Sequence, residues 1–454
     1  MSSREKLSSR LGFLMLSAGC AIGLGNIWRF PFITGMYGGA LFVLIYLVCL
    51  VLLGIPIMTM EFAVGRGAGF SAAKAFHVLE KPGTKWHGFS YAAMFGNYLL
   101  MFFYTTVSGW MLAYLVKIAK GDLAGLSPDA IGDAFGAHIT NPGVLTFWMV
   151  LVCLIGFGVC AGGLVASVEK VGKVMMTALF VVVGILAIRS ITLPGAGEGV
   201  AFLLKPSLDG IRQHGFGRVV YAAMGQAFFT LSLGIGSMTI FGSYINKDKA
   251  LLGEAVTVTA LDTAAAIGAG LVIFPACFAY GVNPGAGPGL IFVTLPIIFN
   301  NMPLGQLWGA LFFIFMVFAA MSTVIAVFEN LIAFVMELTG FSRVKACIIN
   351  FVIVVLFSLP CALSFSVLSG FTLFGGVLDT EDFILSNNLL PIGALVYCLF
   401  CVSKMGWGWD NFIKESNTGS GLQLPSWLRP YLSYIAPAVI VIIFIVGYID
   451  IFGK

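Results

Sequence analysis

Charged residues are scarce in this sequence: Asp, Glu, Lys and Arg together make up 10% of its 454 residues. Hydrophobic residues make up 59%, and the mean hydropathy is +1.01. A soluble domain of this length could not bury so much apolar surface, so the composition excludes a water-soluble protein and indicates an integral membrane protein. The net charge of +4 is small and gives no sign of a nucleic-acid partner.

Metal-binding and redox residues are also scarce where a membrane could lie. The four histidines all fall outside the long apolar runs, at positions 77, 87, 138 and 214. Their placement argues against haem, zinc or an imidazole proton relay at membrane depth. Cys398 and Cys401 form a C-x-x-C pair, but cysteines within an apolar run commonly pack as small hydrophobic side chains. No nucleophile–base pair appears there, so a membrane enzyme is disfavoured and no organic cofactor is expected.

Long apolar runs fill most of the chain. A helix needs about 20 apolar residues to cross a bilayer. Eleven runs meet this length: 11–34, 39–60, 89–115, 144–163, 171–191, 219–243, 253–279, 305–336, 344–363, 383–402 and 431–451. They are too long for barrel strands, so the sequence predicts an all-α polytopic membrane protein with eleven transmembrane helices.

Basic residues set the orientation of these spans. With the N-terminus placed inside, 16 of the 24 lysines and arginines fall in inner segments and seven in outer ones, and Arg29 lies within the membrane. The positive-inside rule therefore predicts a multi-pass protein of the cell membrane with a cytoplasmic N-terminus and, after an odd number of spans, an extracellular C-terminus.

Two spans carry a break at mid-membrane depth. The first contains GCAIGLGNIWRFP at 19–31 and the sixth contains GQAFFTLSLGIGSMTIFGSY at 225–244. These are matching positions in two five-span halves, which is typical of a transporter with inverted repeats and its binding site at the breaks. Unwound backbone can hold a cation on its carbonyls and a carboxylate on its N–H groups. The alternative is that the glycines only permit close helix packing, which their matching positions and polar neighbours disfavour.

Three stretches resemble signatures of the neurotransmitter:sodium symporter family. They are RLGFLMLSAGCAIGLGNIWRFPF at 10–32, GGALFVLIYLVCLVLLGIPIMTMEFAVGR at 38–66 and GQAFFTLSLGIG at 225–236. The resemblance implies a leucine-transporter-type fold with 5+5 inverted repeats and broken helices 1 and 6. We expect a cytoplasmic N-terminal segment at 1–10, a ten-helix core at 11–402 with repeats at about 11–191 and 219–402, a cytoplasmic loop at 403–430, and the eleventh helix with the C-terminus at 431–454.

The resemblance also implies two sodium sites. The first would use Ala21, Asn26, Thr230 and Asp262. The second would use the carbonyls of Gly19, Ile22 and Ala319 and the hydroxyls of Ser322 and Thr323. Read without the family, Ser322 and Thr323 are an ordinary pair bonding back to their own helix. Asp262 is a charge in an apolar span, which is functional by default, although a structural aspartate is the alternative.

The implied substrate is an amino acid. Its carboxylate would bind the amides of Leu24 and Gly25 and the hydroxyl of Tyr104. Its ammonium would bind carbonyls near Ala21, Phe229 and Thr230 and the hydroxyl of Ser232. Its side chain would contact Leu100, Phe229, Ile235, Thr323, Ala326 and Val327, although ordinary helix packing is an alternative for Phe229, Ile235 and Val327.

Two departures from related sequences restrict the class of substrate and the ions that transport would require. Monoamine-type members carry an aspartate at the position of Gly23, so glycine favours a substrate that brings its own carboxylate, with a neutral side chain. Chloride-dependent members have asparagine at the position of Asp262 and serine four residues later, where this chain has Ala266. The resemblance therefore implies a chloride-independent transporter.

Gates are implied as well. Arg29 and Asp382 would pair above the site, with Phe229 and Tyr104 covering the substrate. On the inner side Arg4 would pair with Glu337 near Tyr244, although Arg4 alone is an ordinary inner positive charge. Departures weaken this inner gate: Leu7 replaces a usual tryptophan, and Val182 stands where many members have proline. Glu329, in the eighth span, is either structural or part of a gate.

These observations predict a sodium-coupled symporter that imports neutral apolar or aromatic L-amino acids by alternating access, with sodium ions and the lipid bilayer as its other partners. A proton-coupled permease of the same fold stays open, although Ser322 and Thr323 offer it no titratable group. So does a transceptor or channel that binds the amino acid without accumulating it. No feature of the sequence indicates an oligomeric state.

Overall fold

The computed structural model describes residues 6–282 and 289–452 of the chain, apart from the side chain of Asp450. Throughout this part the regular elements are helical, and one isolated bridge joins Lys249 and Ser420. The prediction of an all-helical chain is therefore confirmed. Its cause is the bilayer: a chain this apolar can satisfy its backbone hydrogen bonds in lipid by forming helices.

Most spans are continuous helices. Nine helices in the described residues are long and apolar enough to cross a membrane: Ala40–Ala68, Gly88–Lys120, Pro142–Ala161, Leu164–Ile191, Leu251–Ala279, Gly305–Thr339, Arg343–Ala362, Val377–Val402 and Ser426–Ile449. They are spans 2, 3, 4, 5, 7, 8, 9, 10 and 11, in that order. Shorter helices lie between them: Ala72–Leu79, Pro128–Ile139, Gly197–Leu204, Asp209–His214, Leu290–Asn300 and Trp409–Ser416.

Spans 1 and 6 are broken, as predicted. Span 1 consists of Arg10–Ala21 and Gly25–Met36, which meet at a bend of 52°. Span 6 consists of Phe216–Thr230 and Ser237–Tyr244, separated by a turn at 231–236. Ser232, Gly234 and Gly236 in that turn have φ of 52°, 93° and 73°, a region that an α-helix does not visit. By length and composition the described residues thus hold nine spans, or ten with the bent pair of span 1, and the two helices of span 6 lie where the eleventh was predicted.

Span 2 extends further than its apolar run indicated, to Ala68 instead of residue 60. The added residues include Glu61 and Arg66, which are buried and would be costly in lipid. Both have protein partners: Glu61 accepts the backbone N–H of Gly234, and Arg66 donates to Glu415 over 2.7 Å. Partnered charges allow the helix to continue where hydropathy alone predicts its end.

Spans 3 and 8 lie at the centre of the bundle. In each, 78% of the most apolar 18-residue stretch is buried, against 28% in spans 5 and 11. Span 8 packs against spans 1, 3, 4, 5 and 9. The breaks of spans 1 and 6 therefore face protein, where unwound backbone finds partners, and not lipid.

Candidate functional site

The break in span 1 frees backbone carbonyls that face span 8. Helix Arg10–Ala21 is followed by Ile22, whose backbone is extended. The hydroxyl of Thr323 lies 3.1 Å from the carbonyl oxygen of Gly19 and 3.2 Å from that of Ile22. The hydroxyl of Ser322 lies 2.9 Å from the carbonyl of Ala319 and 3.4 Å from that of Ile22. All five groups predicted for the second sodium thus meet in one place.

This cluster has the chemistry of a sodium site. Its five oxygens are carbonyls and hydroxyls, the hard ligands that a small cation prefers. Ser322 and Thr323 also bond back to the carbonyl of Ala319 in their own helix, as the ordinary interpretation requires. Their contacts across to span 1 go beyond that interpretation, because they join two helices at an unwound segment.

Asp262 is the centre of a second cluster, fully buried between spans 1, 2, 6 and 7. Its carboxylate accepts hydrogen bonds from the Asn26 amide over 2.8 Å and from the Thr230 hydroxyl over 3.1 Å. The Tyr46 hydroxyl lies 3.4 Å away. Asn26 Oδ1 also accepts the N–H of Gly23 over 3.0 Å, which fixes the side chain across the break. The structure thus brings together the three side chains predicted for the first sodium and adds Tyr46.

The break in span 6 is held by two buried side chains that sequence reasoning missed. Glu61 accepts the N–H groups of Gly234 over 2.6 Å and of Met238 over 3.2 Å. Asn97 donates to the carbonyl of Ile235 over 2.7 Å. These bonds replace those that a continuous helix would make. The signal for Glu61 was available, since it follows directly on an apolar run.

A small cavity of about 20 Å³ lies between the two breaks. Its lining includes eight predicted residues: Ala21, Gly25, Leu100, Tyr104, Phe229, Ser232, Ile235 and Thr323. It also includes four that were not predicted: Cys20, Gly23, Leu385 and Leu390. Four predicted residues are not in the lining: Leu24 lines a separate outer space, Thr230 turns its hydroxyl to Asp262, and Ala326 and Val327 are buried in span 8.

The cavity is closed down in this conformation. Its volume is about that needed for one water molecule, so it must widen to take a larger ligand. The groups predicted to bind a carboxylate bond to each other instead, since the N–H of Leu24 donates to the Tyr104 hydroxyl over 2.9 Å. The Ser232 hydroxyl likewise donates to the carbonyl of Cys20 over 3.1 Å. These pairs satisfy buried polar groups that a ligand would otherwise engage.

Comparison with known proteins agrees with this geometry. A profile of the sodium:neurotransmitter symporter family matches residues 4–127 and 131–452. The chain belongs to this family. It is 35% identical over 446 residues to the uncharacterized sodium-dependent transporter YhdH of Bacillus subtilis, covering 96% of each chain. It is 26% identical over 499 residues to the human sodium- and chloride-dependent creatine transporter 1, covering 97% of this chain and 76% of the relative.

A solved structure is also similar. The crystal structure of MhsT in complex with L-phenylalanine superposes with a TM-score of 0.89 at 40% identity, covering 98% of this chain and 100% of that one. The predicted leucine-transporter-type fold is thereby confirmed. The chain is a multi-pass membrane protein and a sodium-dependent symporter, and not an enzyme.

The symporter has a wide vestibule on one side of the small cavity. The vestibule encloses about 560 Å³, and Phe229 lines both spaces, so that its ring lies between them. The Arg29 guanidinium lies over this ring, 4.5 Å from its centroid. Arg29 also lies 3.7 Å from the Asp382 carboxylate, and the Ser386 hydroxyl, 2.9 Å from Arg29 and 2.6 Å from Asp382, connects the two. The predicted outer pair is thus in place, with Ser386 as an additional member.

The opposite side of the symporter is closed by polar contacts. Tyr244 donates to Glu329 over 2.8 Å, and the same carboxylate pairs with Arg343 of span 9. Lys6 donates to the carbonyl of Ser243 over 3.1 Å, which docks the N-terminal segment on span 6. Arg343 was not predicted. It is the basic residue that compensates the buried Glu329.

The predicted inner pair consists of Arg4 and Glu337, and the described residues include Glu337. Arg4 lies outside the described residues. Glu337 accepts hydrogen bonds from the backbone N–H and the hydroxyl of Ser71, at 3.0 and 2.6 Å. Leu7, which stands in place of a tryptophan, is buried and donates its N–H to the Tyr244 carbonyl over 3.4 Å. The arrangement keeps the N-terminal segment against the second helix of span 6, Ser237–Tyr244.

Proposed function

We propose that this symporter imports neutral apolar or aromatic L-amino acids together with two sodium ions, without chloride, by alternating access around the breaks in spans 1 and 6. The observation that carries the proposal is the space at Gly23. A Cβ atom there would lie 2.1 Å from the Tyr104 hydroxyl and 2.4 Å from that of Thr323. With the two hydroxyls in these positions the site has no room for a side chain at residue 23, which supports a substrate that brings its own carboxylate.

The cavity lining favours a neutral side chain on that substrate. Leu100, Phe229, Ile235, Leu385 and Leu390 form its apolar wall. A charged substrate side chain would have to leave water without a partner of opposite charge, which is costly. The related MhsT was solved with L-phenylalanine, and this supports an aromatic or apolar amino acid for the present chain as well.

Two sodium ions are proposed because two separate oxygen clusters exist. One is formed by the carbonyls of Gly19 and Ile22 with Ser322 and Thr323, and the other surrounds Asp262. Each charge falling through 100 mV gains roughly 2.3 kcal/mol, and a tenfold sodium gradient adds about 1.4 kcal/mol. Two ions supply roughly 7 kcal/mol, enough for about five decades of substrate accumulation.

Alternating access is supported by the unequal two sides of the protein. We infer that the open vestibule near Arg29 and Asp382 faces outward, and that the side closed by Tyr244, Glu329 and Arg343 faces the cytoplasm. This agrees with the orientation predicted from the basic residues, with the N-terminus inside and the C-terminus outside the cell membrane. Phe229 and the pair of Arg29 with Asp382 would form the outer gate.

Uptake into proteoliposomes tests the function directly. The purified protein, reconstituted and given an inward sodium gradient, should accumulate one or a few neutral amino acids when all proteinogenic amino acids are screened. Equilibration without accumulation would indicate a channel or receptor, and accumulation driven by a proton gradient alone would indicate a proton-coupled permease. Either result would contradict the proposal.

Substitution of Asn26 with Ala should weaken sodium and substrate binding together. Asn26 belongs to the first sodium cluster, and we propose that the substrate carboxylate completes the coordination of that ion. Titration of substrate at several sodium concentrations should show both affinities falling by about tenfold or more, as expected when one charged-group partner is lost. If substrate affinity fell while sodium affinity stayed unchanged, the two sites would not be shared.

Substitution of Tyr104 with Phe removes one hydroxyl from the proposed carboxylate site. A hydrogen bond to a charged group contributes about 1.5–3 kcal/mol, so substrate affinity should fall roughly ten- to a hundredfold. Substitution of Tyr98 with Phe, on the same span, is the matched control, because its hydroxyl bonds to Asn350 and not to the cavity. Equal effects of the two changes would mean that Tyr104 acts through packing.

A further inference from the structure

Three potential metal ligands meet in the loop between spans 2 and 3. His77 lies on the short helix Ala72–Leu79, Glu80 follows that helix directly, and His87 precedes the first residue of span 3. Each residue offers one ligand atom, and these three atoms all lie within 4.8 Å of one another. The spacing is H-x₂-E-x₆-H, and the three residues lie outside the spans.

Both imidazoles approach the same carboxylate oxygen. Nδ1 of His87 lies 2.6 Å from Glu80 Oε1, and Nδ1 of His77 lies 3.2 Å from it. The other oxygen accepts the backbone N–H of His87 over 3.1 Å. The two rings are perpendicular, with centroids 5.5 Å apart. Two ring nitrogens thus converge on one carboxylate oxygen, which places three potential ligand atoms close together.

The loop that carries these residues is anchored to the rest of the protein. Lys81 donates to the carbonyl of Lys404 over 2.7 Å, and Trp86 donates through its indole to the carbonyl of Met405 over 3.0 Å. At the start of the helix, Ser71 bonds to Glu337 of span 8. The ligands are therefore held near each other by contacts that do not involve them, which lowers the entropy lost on binding an ion.

Both imidazole rings are accessible from water. The side chain of His77 is 74% exposed and that of His87 is 43% exposed, so an ion can reach both rings from water.

We propose that His77, Glu80 and His87 form a binding site for a divalent transition metal ion, for which zinc is the test probe. Two histidines and one glutamate are a known zinc ligand set, completed by a water molecule in a tetrahedral shell. Ligands about 2.0–2.2 Å from zinc lie roughly 3.3–3.6 Å from each other. The 3.2 Å separation at His77 is close to this range, and the 2.6 Å separation at His87 must lengthen by about 0.7 Å to admit the ion.

The bound ion would connect the end of the Ala72–Leu79 helix to the start of span 3. It would replace two imidazole hydrogen bonds, which need a proton on each ring, by two nitrogen–metal bonds, which need neutral ligand nitrogens. The loop would then be fixed at the proposed cytoplasmic face. This proposal is independent of the proposed substrate and of sodium coupling.

Zinc titration of the full-length purified protein in detergent tests the site. Calorimetry at neutral pH should show one zinc ion per chain, and cobalt should give the absorption of a tetrahedral complex. Substituting His77 or His87 with Ala should weaken binding by about tenfold or more, and Glu80→Gln should do the same. His214→Ala removes a histidine elsewhere and should leave the affinity unchanged. His77→Ala should fold normally, because its ring is mostly exposed.

A second readout separates a site from surface adsorption. Zinc should slow hydrogen exchange of the amides in residues 77–88 of the unmodified protein and of His214→Ala, but not of His77→Ala. If zinc binds without a defined stoichiometry, if His214→Ala weakens binding as much as His77→Ala does, or if exchange in the loop does not change, the three residues form only a local hydrogen-bond cluster.

Discussion

Uptake should become chloride-dependent when Asp262 is changed to Asn and Ala266 to Ser in the same protein. The unmodified protein should transport equally well when gluconate replaces chloride. In gluconate, uptake by the double variant should be more than about a hundredfold lower than uptake by the unmodified protein, since leaving a buried charge uncompensated costs about 3–5 kcal/mol. Part of the uptake should return in chloride.

The charge of the loaded site explains this expectation. Two sodium ions with a zwitterionic substrate bring a net charge of about +2 into a buried region, where an uncompensated charge is costly. Asp262, fully buried and bonded to Asn26 and Thr230, would supply a negative charge beside the proposed first ion. Ala266 lies one helical turn further along span 7, so a serine there can help to hold an anion in the same neighbourhood.

Two controls complete this experiment. Ala266→Ser alone should transport without chloride, because Asp262 remains. Asp262→Asn alone should be poorly active in both solutions, because it lacks both the carboxylate and the serine hydroxyl. If the unmodified protein stops transporting when chloride is removed, the charge argument is wrong and Asp262 has another role.

Changing Gly23 to Ala should abolish transport without unfolding the protein. A Cβ at this position would overlap the Tyr104 and Thr323 hydroxyls, at 2.1 and 2.4 Å. One of these belongs to the proposed carboxylate site and the other to the second sodium cluster, so a single methyl group displaces both. We expect uptake to fall by about a hundredfold or more, because losing one hydrogen bond to a charged group costs about 1.5–3 kcal/mol and two groups are displaced.

Gly184→Ala is the matched control, since a Cβ at that position in span 5 meets no atom within 4 Å. It should express and transport as the unmodified protein does. Gly23→Ala should show the same elution in size-exclusion chromatography and lose substrate binding. Retention of wild-type uptake by Gly23→Ala would show that the break in span 1 rearranges freely, and the argument for an amino acid over an amine would fail with it.

The broken spans could be predicted because their sequence is unsuited to a continuous membrane helix. Gly25 beside Asn26, and Gly234 and Gly236 close to Ser232, lie in the middle of apolar runs and indicate an interruption whatever the tertiary structure. Asp262 could be singled out for a similar reason, since a lone carboxylate in an apolar run needs a buried partner. These signals are local, and the structure places all three residues beside the cavity or in the oxygen cluster around Asp262.

Other residues of the site could not be predicted from the sequence, because their roles depend on contacts between distant segments. Arg343 stands at the start of span 9, where a basic residue is also expected from the positive-inside rule, so its pairing with Glu329 leaves no trace in the sequence. Leu385 and Leu390 are ordinary apolar residues of span 10, and only the packing of that span shows that they face the cavity. The cavity volume itself depends on the conformation and not on residue types.

The ring of Phe229 is the side chain shared by the vestibule and the cavity, whereas the opposite side is held by Glu329, Arg343 and the docked N-terminal segment. The Phe229 ring on the vestibule side and the packed segments on the opposite side move on very different timescales. A side chain with free space beside it changes rotamer within nanoseconds, while collective movements of helices take microseconds to milliseconds. Water can therefore exchange between the cavity and the vestibule many times within one turnover. A single-molecule recording would show rapid flicker on the vestibule side and rare, long-lived openings on the other.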